Sequence, residues 1–247
     1  IIASKRGHDV TLYEQSNQLG GQLNMAEMPS FKWPVRDFKK YLIHQVYKHG
    51  VNVLLNTHAT AERLDAEGYD EVIAAVGAEA NILRVPGWDK SNVIAAMDVY
   101  GHENELPEKV VIVGGGEIGV ETGMHLAENG HKVQLIEMTD SIAPDAPPFH
   151  FRSMLIEYAD NTEGFEYIVN ATCKEITDAG IVYTDKDGKE HELKADKVIM
   201  TTGSKAKQND AIKLFSPGRK VNMVGDCVKA LDLHNAMRTG FAIASQI

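Results

Sequence analysis

The stretch KVVIVGGGEIGVETGMHLAENGHKVQLIE, residues 109–137, decides the fold. It opens with an apolar run, Val110 to Val113, and turns at Gly114-Gly115-Gly116-Glu117-Ile118-Gly119. Helix-periodic residues follow from Ile118 to Asn129, and a second apolar run, Val133 to Ile136, ends on Glu137. Strand, glycine turn, helix, strand and acid in that order is the arrangement a dinucleotide-binding βαβ unit requires. Each part has a physical reason. Gly114 permits the tight turn, Gly116 leaves room for a pyrophosphate against the backbone, and Gly119 lets the helix pack on the strand. The helix N-terminus, with free N–H groups and the positive dipole end, is expected to face the phosphates. Glu137 is expected to accept hydrogen bonds from an adenosine ribose.

Working outward, the pattern repeats. GHDVTLYE at 7–14 matches GHKVQLIE at 130–137. Glu14 is therefore read as the ribose-binding acid of a first nucleotide site. The chain opens on Ile1-Ile2-Ala3-Ser4-Lys5-Arg6-Gly7, which reads as the end of a helix already under way. It is expected to be a piece of a longer protein whose first strand and glycine turn lie upstream. Gly20-Gly21-Gln22 follows, with paired glycines that allow close backbone approach to a ligand and an amide that both donates and accepts.

Pro34 to Lys48 reads as a helix, with Arg36 in its first turn. A cation there opposes the helix dipole, so either a bound phosphate compensates or the arginine is merely on the surface. Val10–Tyr13, Val51–Leu55 and Asp70–Val76 read as strands. The last ends in Ala75-Val76-Gly77, small residues at the carboxyl end of a buried parallel strand, where a ligand can cross the sheet. Residues 78–108 are linker-like. After Glu137, Asp140–Pro148 reads as a loop and Phe149–Tyr158 as a helix. Phe165–Val169 is a strand, and Gly180–Thr184 and Lys189–Leu193 form a hairpin through Asp187-Gly188. Asp196–Thr202 is a strand ending in Thr201-Thr202-Gly203, which repeats the pattern at Gly77. Val221–Val224 leads into Gly225-Asp226-Cys227 and a closing helix, Leu231–Ile247. Gly225-Asp226 there can set a carboxylate on a polyol chain, or Asp226 can simply cap the helix.

The fold expected is α/β, with two nested Rossmann-like dinucleotide-binding domains on parallel sheets. An FAD-binding domain spans 1–104 plus 206–247, and an NAD(H)-binding domain, 105–205, is inserted in it. A formal charge of −10 does not suit nucleic acid or an anionic membrane surface. No apolar run approaches the roughly 20 residues of a membrane span. Cys173 and Cys227 form no CxxC, so no redox dithiol or zinc knuckle is indicated, and free thiols suit the cytoplasm.

These residues resemble the C-terminal part of the NADH:flavin oxidoreductases related to 2,4-dienoyl-CoA reductase and enoate reductase. The carriers are YEQSNQLGGQL at 13–23, VIAAVGAEAN at 72–81, VPGW at 85–88, VVIVGGGEIGVE at 110–121, VIMTTG at 198–203 and VGDC at 224–227. The resemblance implies that Glu14, Gly21, Gln22, Ala75, Gly77 and Asp226 contact FAD. It implies that Gly114, Gly116, Glu117, Ile118, Gly119, Glu137 and Gly203 face NADH. It further implies an N-terminal barrel carrying FMN and an iron–sulfur cluster, where a C=C bond conjugated to a carbonyl is reduced. No catalytic acid or base is expected in this chain, which is not expected to be active alone. Val76 stands where the family has threonine, which removes a hydroxyl near the flavin crevice. Glu137 would repel a 2′-phosphate, so NADH is expected over NADPH. The alternatives are a glutamate-synthase-like electron donor, and a non-catalytic scaffold that holds only ADP, as in trimethylamine dehydrogenase.

Overall fold

The computed structural model describes residues 1–147 and 150–247, and the chain divides into two compact α/β units. Unit 1 holds Ile1–Glu27, Lys32–Glu79 and Ser204–Ile247; unit 2 holds Met28–Phe31 and Ala80–Gly203.

Unit 1 begins with a short helix, α1 (Ile2–Lys5), released by Gly7 at φ 96°. β1 (Thr11–Tyr13) and β2 (Asn52–Leu54) pair in parallel. Between them lie α2 (Leu23–Ala26) and α3 (Trp33–Lys48). Pro34 falls in the first turn of α3, where its missing N–H has no intrahelical partner to lose. The next helix, α4 (Ala61–Glu67), starts on Thr60, whose hydroxyl accepts the Arg63 N–H. β3 (Glu71–Ala74) and β4 (Ala78–Ala80) complete this half of the chain.

Unit 2 contains β5 (Val93–Ala95), β6 (Lys109–Val113), α5 (Glu117–Glu128), β7 (Lys132–Ile136), α6 (His150–Asp160) and β8 (Phe165–Ile168). An antiparallel meander, β9 (Thr172–Thr177), β10 (Gly180–Thr184) and β11 (Glu190–Lys194), then crosses over to β12 (Lys197–Met200). The main sheet is parallel, in the order β5-β12-β6-β7-β8. Alternation along β6 serves two cores. Val110 and Ile112 pack with Val120, Met124, Leu126 and Leu155 of the helices, while Val111 and Val113 pack with Ile176, Ile181 and Tyr183 of the meander. A strand covered on both faces has to be apolar throughout, as this one is.

The chain returns to unit 1 through β13 (Ser204–Ala206), which pairs with β4. There follow α7 (Gln208–Ile212), β14 (Lys220–Met223), parallel to β3, and α8 (Leu233–Ala244). No ladder joins the β1–β2 pair to the β3–β14 pair among the described residues. The side chains of β1 are half-buried, unlike those of β6.

Several expectations are corrected. The stretch 78–108 is not simply a linker: β5 hydrogen-bonds β12 as an edge of the main sheet, and residues 80–104 group with unit 2. A three-residue strand between turn signals leaves no periodicity to detect. β9 gave no clear alternation either. Of the expected loop and helix around 140–158, Pro148 and Phe149 lie outside the described residues. The closing helix is shorter than expected, because the Asp232 carboxylate caps it by accepting the Asn235 N–H at 2.6 Å. No described helix is long and apolar enough to cross a membrane.

Candidate dinucleotide sites

In unit 2 the sequence-adjacent strands run β6, β7, β8 to one side, while β12 and β5 lie on the other. The topological switch point therefore falls between β6 and β12, and their carboxyl ends border the crevice where such sheets bind ligands. The glycine turn leaves β6 there, and Thr201 leaves β12 there. Thr201 Oγ1 lies 2.5 Å from Gly114 O and 3.0 Å from Val113 O, so its hydroxyl ties the turn to the neighbouring strand end. Gly114 sits at φ 108°, and a Cβ on it would come within 2.7 Å of Thr201 O. A Cβ on Gly119 would meet Gly114 O at 2.1 Å. Both positions are closed to any side chain, which confirms the turn and packing reasons for these glycines.

Glu137 is engaged within the chain itself. Its side chain is buried, with Oε2 accepting the Gly115 N–H at 2.7 Å and Oε1 accepting the Thr139 N–H and hydroxyl, each at 2.8 Å. A carboxylate offers about four acceptor sites, so this one retains about one for a ligand. Glu137 thus braces the glycine turn from the next strand.

The helix end holds a second surprise. The Glu117 N–H donates to Asp145 Oδ1 at 2.8 Å, and a Cβ on Gly116 would lie 3.0 Å from Asp145 Oδ2. The space that the sequence reading reserved for a pyrophosphate is bordered by this chain's own carboxylate. Ile118 is exposed in the first turn of α5, and Gly203 is exposed at φ 94° with open space where a Cβ would point. Gly203 O accepts the Asn81 N–H at 3.0 Å, and Asn81 O accepts the Thr202 hydroxyl at 2.6 Å.

Unit 1 repeats one device. Glu14 Oε1 accepts the N–H of Ser16, two residues on, at 2.7 Å, as Glu137 does with Thr139. Gly20 sits at φ 127°, which side chains rarely adopt, with Asn24 Oδ1 2.5 Å from where a Cβ would stand; Gly21 at φ 53° has open space. Gln22 Nε2 donates to Ala78 O at 3.1 Å. Arg36 donates from Nη2 to the backbone carbonyl of Glu27 at 3.1 Å, using one of the five N–H donors of its guanidinium. Ala75 is exposed just beyond β3, and the carbonyl of Gly77 accepts the Lys207 N–H at 3.1 Å. Gly225 at φ 64° donates its N–H to Thr239 Oγ1 of α8 at 2.9 Å. Asp226 Oδ1 accepts the Leu231 N–H at 3.2 Å, but the cap of α8 is Asp232. Next to Glu14, the Tyr13 hydroxyl bonds Glu67 at 2.5 Å. That bond, with those from Arg63 and Tyr69, holds the Glu67 carboxyl down at about 2.

Contacts beyond the motif were not legible in sequence. The Thr201-Thr202-Gly203 triplet marked a strand end, but not a hydroxyl bonded back to Gly114. Nothing marked Asp145, which sits in a loop without periodicity.

A glycine turn at a switch point, closed to side chains and leading into a helix, with an acid after the next strand, defines a dinucleotide-binding oxidoreductase unit. The chain belongs to the pyridine nucleotide-disulphide oxidoreductase family, which it matches over residues 1–228. Membership implies binding of FAD and NAD(P)H. The chain is 34% identical to an NADH oxidase of Thermoanaerobacter brockii, covering 100% of this chain and 38% of that protein. It is 33% identical to a bilirubin reductase of Mediterraneibacter gnavus, covering 99% of this chain and 38% of the relative. A solved 2-naphthoyl-CoA reductase complex superposes with a TM-score of 0.93 at 28% identity, over 99% of this chain and 37% of that one. This chain therefore spans less than two-fifths of the length of these relatives. The family's name includes a disulphide, but Cys173 and Cys227 are free and buried here.

Proposed function

We propose that the chain is the electron-input module of an NADH-dependent flavin oxidoreductase. Unit 2 takes NADH on the turn of Gly114, Gly116 and Gly119, with Glu117, Ile118, Glu137 and Gly203 around it. FAD belongs to unit 1, on Glu14, Gly20, Gly21, Gln22, Arg36, Ala75, Gly77, Gly225 and Asp226. The observation that carries the reading is the side-chain-free turn at the β6–β12 switch point, braced by Thr201 and Glu137. When bound, the flavin would supply acceptance of a hydride from NADH and its onward release as single electrons. The acceptor side, an iron–sulfur cluster and FMN in an N-terminal barrel of the same protein, completes the proposal. Its substrate is an enoate or 2,4-dienoyl-CoA type C=C bond, and its place is the cytoplasm. The relatives are named as reductases and oxidases, and one is named for an aromatic acyl-CoA, which supports this substrate class.

The chain's own residues do three things in this scheme. Gly114 and Gly119 keep the turn tight enough for a dinucleotide to approach backbone. Glu137 holds the turn and places negative charge beside the adenosine ribose, which disfavours a 2′-phosphate. Thr201 fixes the end of β12 against the turn. A second reading, a scaffold without electron transfer, draws on Asp145 at the N-terminus of α5, where its carboxylate occupies a donor that a nicotinamide dinucleotide would need.

Anaerobic titration of the whole protein with NADH and with NADPH tests the proposal. Bleaching of bound flavin at lower NADH than NADPH is expected. No bleaching by either would favour the scaffold, and equal bleaching would remove the NADH preference.

A further inference from the structure

Asp145 sits on a strap anchored across the glycine turn. Ile142 and Ala143 are buried, and the Ala143 N–H donates to Gly115 O at 2.6 Å. Ala143 holds a positive φ of 49°. Arg152 grips the same segment, donating from Nε to Ala143 O at 2.9 Å, from Nη2 to Ile142 O at 3.2 Å, and to the Ser141 hydroxyl. Thr139 ties the start of the strap to Glu137. Pro144 and Pro147 restrict the backbone on either side of Asp145. The anchored part is thus held by several bonds, while Asp145 itself is exposed and reaches Glu117 N with one oxygen.

The start of α5 concentrates N–H groups and the positive end of the helix dipole. Those groups are what a dinucleotide's pyrophosphate would use. An internal carboxylate already bonded to Glu117 N competes for the same donors and repels the incoming phosphates. We infer that Asp145 is a built-in competitor for the dinucleotide pyrophosphate, so that NADH enters unit 2 only by displacing it. This rests on the reading of unit 2 as the NADH site. Because the Asp145 side chain is exposed while Ile142, Ala143 and Ala146 are buried, a rotation of Asp145 suffices to open the helix end. The strap need not unfold. The consequence is a deliberately weakened affinity, which favours release of the spent nucleotide.

The test is binding rather than turnover. Asp145→Asn keeps size and an acceptor oxygen but removes the charge; Asp145→Ala removes both. Dissociation constants for NADH and for ADP are measured by fluorescence and calorimetric titration of the whole protein, with melting curves to show that each variant is folded. Removal of one anion from a helix N-terminus should tighten both ligands about three- to tenfold. Adenosine, which carries no phosphate, should bind the variants and the wild type alike. Wild-type affinity for NADH and ADP in both folded variants, or weaker binding, overturns the inference and leaves the NADH reading standing. If neither the wild type nor the variants bind NADH, the NADH reading falls and this inference falls with it. Asp145→Glu, which restores charge on a longer arm, should return affinity toward the wild type.

Discussion

Replacing Gly119 by alanine puts the geometry of the turn to a direct test. The new Cβ would lie 2.1 Å from the backbone oxygen of Gly114 and 2.7 Å from Thr201 Oγ1. Real Cβ atoms stay beyond about 3.0 Å, so α5 has to back away by about 0.9 Å, the difference between 3.0 and 2.1 Å. Two magnitudes oppose each other. Alanine in a helix is worth about 0.8–1 kcal/mol over glycine. Overpacking a fixed neighbour costs about 1–3 kcal/mol, and here the neighbour is backbone that cannot rotate aside. An obstacle of fixed backbone puts the cost at about 2–3 kcal/mol, the upper part of that range, and subtracting about 1 leaves a net loss of about 1–2 kcal/mol. In urea this lowers the unfolding midpoint of unit 2 by about 0.5–1 M. The assay can be made specific. The chain has two tryptophans, Trp33 in unit 1 and Trp88 in unit 2, so a Trp33→Phe background leaves indole fluorescence to report unit 2. A Gly119→Ala midpoint equal to wild type would refute the reasoning about the turn.

Two further outcomes follow from the same structure. Glu137→Gln sets an amide against the Gly115 and Thr139 N–H groups, so one donor faces another. A loss of about 1.5–3 kcal/mol in unit 2 is expected, together with a narrower gap between NADH and NADPH affinities. An unchanged urea midpoint would mean the carboxylate does not brace the turn. The Glu67 carboxyl is held at about 2, below its usual 4.5, by the Tyr13 hydroxyl first and then by Arg63 and Tyr69. A carboxylate lowered on folding adds stability above pH 4.5 and loses it as pH falls toward 2. The melting-temperature difference between wild type and Glu67→Gln should therefore shrink across that window; a constant difference would contradict it.

The βαβ unit was legible because its parts are local. Val110–Val113, the glycine spacing, the periodic helix and Glu137 follow one another within 29 residues, and each is set by near-neighbour sterics. The duplicated Glu14 segment was legible for the same reason, and both acids make the same short bond to the residue two places on. The edge strand β5 was not, since three residues between turns carry no period. Arg36, read either as a phosphate contact or as a surface residue, donates to the carbonyl of Glu27, a contact that sequence spacing does not encode.

Sequence by itself determined that this chain is α/β, that it carries a dinucleotide turn, and which acid follows it. Those features depend on φ/ψ limits, helix and strand periods and the absence of a Cβ. Only the tertiary structure decided what the turn touches. Thr201 lies 87 positions from Gly114 and reaches it because β12 pairs with β6. Asp145 lies 28 positions from Glu117 and reaches it because buried Ile142 and Ala143 anchor the strap to Gly115. Hydrogen bonds form between groups that packing brings within 3 Å or so, and packing answers to the whole chain rather than to the motif.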